Sequence, residues 1–134
     1  MALPKEKKSG NGGRFRAPSQ GDLIWLDFSP QAGHEQAGRR PALVVSPNYY
    51  NRKSGLALAC PITNKPKGYP FEVALPAGLR LSGAVLCDHI KSVDWRARRS
   101  EIVAAAPPEL LAEVLAKVSV LLQPEDRSTT RGSA

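Results

Sequence analysis

The side chains best suited to chemistry fall in two polar loops. The first, Ser29-Pro30-Gln31-Ala32-Gly33-His34-Glu35-Gln36-Ala37-Gly38-Arg39, runs up to Arg40 at the edge of an apolar segment. The second is Pro61-Ile62-Thr63-Asn64-Lys65-Pro66-Lys67-Gly68-Tyr69-Pro70. Both contain glycine and are longer than a turn requires, and loops of this kind on a rigid sheet usually carry function. Arg40 offers a permanently cationic, planar fork that matches two phosphate oxygens. Thr63 offers a hydroxyl, Lys65 and Lys67 offer ammonium groups, and Glu35 and His34 are titratable. The metal-ligand inventory is thin: His34 and His89 are far apart, and no C-x-x-C, H-x-H or H-E-x-x-H spacing occurs. Chemistry without a metal or other cofactor is therefore expected.

Each of these residues has a plain structural role open to it as well. Taken alone, Arg40 reads as a salt bridge to a carboxylate at a strand edge, Thr63 as a turn hydroxyl and His34 as a solvated loop residue. His89, in an apolar strand context, reads as packed and hydrogen-bonded. Lys65, Lys67, Lys91, Arg96 and Arg98 fit a solvated charged face. Beside Trp25, Tyr69 and Trp95 they fit equally a nucleic-acid path with stacking platforms. Trp25 itself reads as core.

The elements that must hold these loops are short. Apolar runs rich in β-branched and aromatic residues, punctuated by Gly, Pro and Asn, predict strands at Gly21–Phe28, Pro41–Ser46, Leu56–Cys60, Phe71–Leu75, Ala84–Cys87, His89–Val93 and Glu101–Ala105. Strands of this number and length make a small barrel or curled sheet. After Pro107-Pro108 the period becomes helical, with Leu110, Leu111, Val114, Leu115, Val118, Leu121 and Leu122 on one stripe and Pro124 as the stop. A mainly β domain closed by one amphipathic helix is predicted.

With 134 residues there is room for one domain. Nineteen Lys and Arg against twelve Asp and Glu leave +7, which makes nucleic acid the first partner to consider. Residues 1–18 hold five basic residues and one acidic, residues 19–123 hold twelve and nine, and residues 124–134 hold two and two. Both ends are poor in apolar residues and read as flexible tails, the first one basic, around a body at 19–123. No apolar run approaches the ~18 residues of a membrane span, so a cytoplasmic protein is expected. Cys60 and Cys87 each lie in an apolar stretch, where a reduced, buried thiol is the usual state.

Several blocks, in order along the chain, resemble the MazF/PemK family of toxin endoribonucleases, the toxin halves of bacterial type II toxin–antitoxin pairs. They are Gly21-Asp22-Leu23-Ile24-Trp25-Leu26-Asp27-Phe28, the segment from Gly33-His34-Glu35-Gln36-Ala37-Gly38-Arg39-Arg40-Pro41 to Pro47, Cys60-Pro61-Ile62-Thr63, Lys67-Gly68-Tyr69-Pro70-Phe71-Glu72-Val73, and Asp88-His89-Ile90-Lys91-Ser92-Val93-Asp94-Trp95-Arg96-Ala97-Arg98. The resemblance spans about residues 20–122 and implies an SH3-like β-barrel with a C-terminal helix, a homodimer, and metal-independent cleavage of single-stranded RNA at short motifs. It also implies a cognate antitoxin whose acidic, partly disordered tail blocks the RNA groove. By position in the motifs, Arg40 and Thr63 match the family's catalytic arginine and threonine, and Glu35 matches an acidic residue that supports activity. His34 stands where Ser is common and His89 where Gln is common, departures that bear on the RNA motif recognised.

Without a metal, the economical way to cut RNA is attack by its own 2′-OH on the adjacent phosphorus, which leaves a 2′,3′-cyclic phosphate and a 5′-OH and excludes DNA as substrate. Arg40 suits charge stabilisation of the phosphorane, and its permanent charge makes it a poor general base. Thr63 can donate to a non-bridging oxygen, while Glu35 and His34 can handle protons. His34, Lys65, Lys67, Tyr69, Lys91 and Arg96 are the candidate RNA-binding residues. The competing functions are a non-catalytic nucleic-acid-binding barrel and a barrel toxin directed at a protein such as DNA gyrase.

Overall fold

A computed structural model describes residues 16–27 and 38–128. Seven strands form in the predicted order: β1 (Asp22–Asp27), β2 (Arg39–Val44), β3 (Leu56–Thr63), β4 (Glu72–Ala74), β5 (Ala84–Leu86), β6 (Lys91–Asp94) and β7 (Glu101–Ala105). They pair antiparallel in the order β4-β5-β3-β2-β1-β7, with β6 also paired to β3. The sheet curls as a barrel does, and its outer strands β4 and β7 are not joined to each other. The C-terminal helix α2 spans Pro108–Leu121. Pro108 begins it where a missing N–H costs no helical bond.

Alternation along the central strands sends side chains into two cores. Leu23, Leu43, Cys60, Ile62, Val73 and Val85 pack with Leu110, Val114 and Val118 of α2. On the other face Ile24, Leu26, Ala42, Val44, Ala57 and Ala59 pack with Val93 and Trp95. A sheet buried on both faces explains why β1 to β3 read as nearly continuous apolar runs rather than alternating ones. Each fully buried Leu, Ile or Val contributes about 1.5–3 kcal/mol.

The structure revises the sequence reading in several places. β2 starts at Arg39 and β3 runs on to Thr63, so the second loop begins only at Asn64. A short helix α1 (Asn48–Ser54) follows β2, closed by Gly55 in the left-handed conformation at φ 77°. Its buried Asn51 donates from Nδ2 to the carbonyls of Pro18 (2.9 Å) and Ser46 (3.1 Å), and its Oδ1 accepts the Ser46 hydroxyl (2.6 Å). Pro18 is buried and Ala17 packs on the second core, so these two residues of the expected first tail pack against the domain. Residues 1–15 and 129–134, most of the two predicted tails, lie outside the described residues, as does Phe28. Trp95 is no stacking platform: it is 3% exposed and its Nε1–H donates to Asn51 O at 2.8 Å. His89 is the reverse case, because the chain turns through a 3₁₀ segment at Cys87–His89 that buries Cys87 and leaves His89 exposed beside Asp88.

Both cysteines are free and buried. Burial pushes the Cys60 thiol up to about 12 and the Cys87 thiol up to about 11. Thiol-specific reagents at pH 8 are therefore expected to label the protein only after denaturation; stoichiometric labelling of the native protein within minutes would contradict this packing. Burial also raises the Asp22 carboxyl above its usual range, although its Oδ2 accepts the Ser19 N–H at 2.8 Å. Its protonation favours the folded state below the ordinary carboxylate pKa, and that contribution is lost as pH rises through the folded value. The stability of Asp22→Asn relative to the parent should therefore increase across the acidic range and level off near neutrality, as read from urea midpoints; a flat difference would contradict it.

Candidate nucleic-acid groove

β2 and β3 pair at Val44↔Ala59, Leu43↔Cys60 and Ala42↔Pro61. Continued by two residues, this register sets Arg40 opposite Thr63, both on the same face by strand alternation. Around them lies a groove of about 600 Å³ lined by Trp25, Arg39, Arg40, Pro41, Ile62, Thr63, Asn64, Lys65, Arg80, Leu81 and Ser82. Trp25, Pro41, Ile62 and Leu81 supply apolar surface. Four cationic side chains share the lining, and no carboxylate does among the described residues.

The two consecutive arginines have different environments. Arg39 Nη1 lies 3.0 Å from Asp27 Oδ1, and its Nη2 donates to the Arg99 carbonyl at 2.6 Å and the Trp25 carbonyl at 3.4 Å. This ties together the two ends of the first loop, because Asp27 precedes it and Arg39 follows it. Arg98 serves the same anchor, donating from Nη1 to the Asp27 carbonyl at 2.9 Å. Arg40 is exposed, and among the described residues it has no hydrogen-bond or ion-pair partner. The salt bridge open to Arg40 in the sequence belongs to its neighbour.

Thr63 ends β3, half-buried, with Oγ1 accepting the Lys65 N–H at 3.1 Å. Its own O–H remains available to donate into the groove. The following loop is held from below: Glu72 accepts the N–H groups of Lys67 (3.0 Å) and Gly68 (2.8 Å), and Lys117 Nζ donates to Pro70 O at 2.7 Å.

Among the sequence candidates, Arg40, Thr63 and Lys65 come together in the groove. Lys67 and Tyr69 are exposed on the same loop but are not part of the lining, and Tyr69 is 60% exposed. Lys91 opens β6 and Arg96 stacks on the Trp95 ring at 5.1 Å, both away from the lining. Glu35 and His34 lie outside the described residues. Trp25, read as core, both packs on the first core and lines the groove. Sequence reasoning missed Asn64, Arg80 and Ser82 as groove residues; Arg80 sits between Leu79 and Leu81 with no loop signature, and its Nη1 donates to Val103 O at 3.3 Å. Among the described residues no trio of His, Cys, Asp or Glu gathers in metal-binding fashion, and no helix is long and apolar enough to cross a membrane.

A curled antiparallel sheet, a helix over one face and a cation-lined groove with apolar walls define a small barrel-like domain suited to a polyanionic strand. Residues 19–122 match the family model described as PemK-like, MazF-like toxin of type II toxin–antitoxin system, and the chain belongs to that family. It is 50% identical over 105 residues to the endoribonuclease toxin MazF of Escherichia coli K12, an alignment covering 78% of this chain and 94% of that one. It is 38% identical over 104 residues to endoribonuclease PemK of E. coli, covering 74% and 78%. Among solved structures it resembles MazF of Deinococcus radiodurans (59% identity, TM-score 0.73, 81% and 98% coverage) and the MazE–MazF complex of the same organism (51%, 0.73, 83% and 100%).

The contrast between the arginines is measurable. Arg39→Ala should lower stability by about 1 kcal/mol or more, since it removes a charge-assisted network, whereas Arg40→Ala should leave stability within about 0.5 kcal/mol of the parent. Equal unfolding midpoints for the two variants would show that the Asp27 anchor carries no weight.

Proposed function

We propose that this protein is an endoribonuclease toxin that cleaves single-stranded RNA, mRNA above all, by attack of the 2′-OH on its own phosphodiester, without a metal. Arg40 stabilises the pentacoordinate phosphorane through two equatorial oxygens, and Thr63 donates its hydroxyl to a non-bridging oxygen. The 2′-O–P bond forms as the P–O5′ bond breaks, giving a 2′,3′-cyclic phosphate and a 5′-OH. The 2′-OH proton goes to a basic group and the leaving oxygen receives one; Glu35 and His34 of the first loop are proposed for this traffic. Lys65 holds an adjacent phosphate, and Lys67, Tyr69, Lys91 and Arg96 extend contact along the strand. The observation that carries the reading is Arg40, without a described counter-ion, opposite a threonine whose hydroxyl has no acceptor among the described residues.

The chain acts in the cytoplasm, as a homodimer. Val120, Leu121 and Leu122 at the end of α2 are 60%, 47% and 77% exposed, an apolar surface that supports a subunit contact. An acidic, partly disordered antitoxin neutralises it by laying carboxylates against Arg40 and Lys65 and an apolar side chain against Trp25. Relatives solved as MazE–MazF complexes support a partner of this kind.

Purified protein in excess EDTA should cut single-stranded RNA, leave 5′-OH ends and spare DNA of the same sequence. RNA carrying one 2′-deoxy sugar on the 5′ side of the cut should resist; normal cleavage of that substrate would overturn the internal-nucleophile mechanism. Arg40→Ala should lose on the order of 10²-fold or more in rate. Lys65→Ala should instead weaken RNA binding and reduce its salt dependence.

A further inference from the structure

The Pro76–Ser82 connection between β4 and β5 brings Arg80, Leu81 and Ser82 to the groove wall, and Gly83 is the residue at which this wall meets Thr63. Gly83 has φ 118°, and its carbonyl accepts the Leu75 N–H at 2.9 Å to close the connection. The next residue, Ala84, pairs directly with Thr63. A Cβ on Gly83 would overlap the Thr63 carbonyl oxygen and come within 2.9 Å of the Thr63 carbonyl carbon and 3.2 Å of Asn64 Cα. These are backbone atoms, so no side-chain rotation relieves the collision. The peptide group that would have to move is the one joining Thr63 to Asn64, and Thr63 Oγ1 is held to Lys65 N–H just beyond it.

We propose that Gly83 is a positioning residue for the cleavage reaction: its missing side chain lets the wall press on the Thr63–Asn64 peptide and so aims the Thr63 hydroxyl into the groove opposite Arg40. The role rests on the catalytic reading of Thr63 above. A methyl at this point rotates or shifts the Thr63–Asn64 peptide. A displacement of ~1 Å at a reacting group can cost on the order of 10²-fold in rate. The long cationic side chains of Arg40, Lys65 and Arg80 re-reach a phosphate after such a shift, whereas a short threonine hydroxyl does not. Turnover and affinity therefore separate.

Gly78 supplies the matched control. It lies in the same connection with φ 96°, and a Cβ there meets nothing within 4 Å. Gly78→Ala bears the backbone cost of a side chain at positive φ without touching Thr63. Gly83→Ala should lower kcat on saturating RNA by on the order of 10²-fold with KM changed by no more than about threefold, and Gly78→Ala should change neither. In a Thr63→Ala background, Gly83→Ala should add less than about twofold, because the group it aims is gone. A Gly83→Ala protein that folds and turns over normally, one whose effect adds in full to that of Thr63→Ala, or one that fails to fold while Gly78→Ala folds would each overturn the positioning role. A Thr63→Ala enzyme with full turnover would remove the catalytic reading of Thr63 and this role with it; a slow Thr63→Ala beside a normal Gly83→Ala removes the positioning role alone.

Discussion

The groove depends on a single strand changing neighbours along one edge. β3 is paired to β2 on one side, while its other side passes from β6, whose pairing with β3 ends at Ala59, to β5, whose pairing begins at Ile62. Val45 N–H bonds the Leu58 carbonyl, so residues 58 and 60 direct their main-chain groups toward β2. Pro61 consequently faces the other edge, in the gap between the two partners, where an absent N–H forfeits no ladder bond. Proline is otherwise confined to sheet edges and bulges, and here the change of partner gives Pro61 a place inside the sheet. Beyond the gap β3 continues far enough to bring Thr63 opposite Arg40 and against Gly83.

The same alternation divides the work of two consecutive arginines. Arg39 faces the Asp27 side and joins β1, β2 and the turn before β7 through Asp27, Arg99 and Glu101. Arg40, one residue on, faces the groove. A guanidinium cannot shed its charge, so pairing it with a carboxylate would have to be undone before a phosphate could bind. Giving the carboxylate to Arg39 anchors the base of the first loop and leaves Arg40 solvated until substrate arrives.

Local patterns in the chain revealed the strands, their order, the C-terminal helix and the buried thiols, because these rest on the spacing of apolar residues. α1 escaped notice although Arg52 and Lys53 followed by Gly55 form a helix-ending signal; its first turn lacks a capping side chain, and Asn51 is fixed by Pro18 and Ser46 rather than by helix periodicity. His89 is exposed because a 3₁₀ turn interrupts the inward–outward alternation between β5 and β6, whereas Trp95 follows buried Val93 by two residues into the same core. At the site, motif register singles out Arg40 and Thr63, since a lone arginine or threonine has too many ordinary uses to stand out, and Lys65 is legible as a cation of the second polar loop. Arg80 and Gly83 were not accessible that way. Their relation to Thr63 exists only across strands, through one register and one close backbone approach.

Net charge is a poor guide to where this protein meets a polyanion, and the fate of its carboxylates explains why. Residues 19–123 carry twelve basic and nine acidic residues, a nearly balanced body. Yet Asp22 accepts the Ser19 N–H, Glu72 holds the N–H groups of Lys67 and Gly68, Asp94 caps those of Arg96 and Ala97, and Asp27 binds Arg39. These four acids are occupied in fixing turns and one structural arginine, and none of them is part of the groove lining. The cations at positions 40, 65 and 80 are thereby left to set the potential of a concave, partly apolar surface, where low-dielectric walls concentrate the field on whatever enters. The segregation of charge, produced by using carboxylates as backbone caps, gives a modest excess of positive residues a local effect far larger than their number implies.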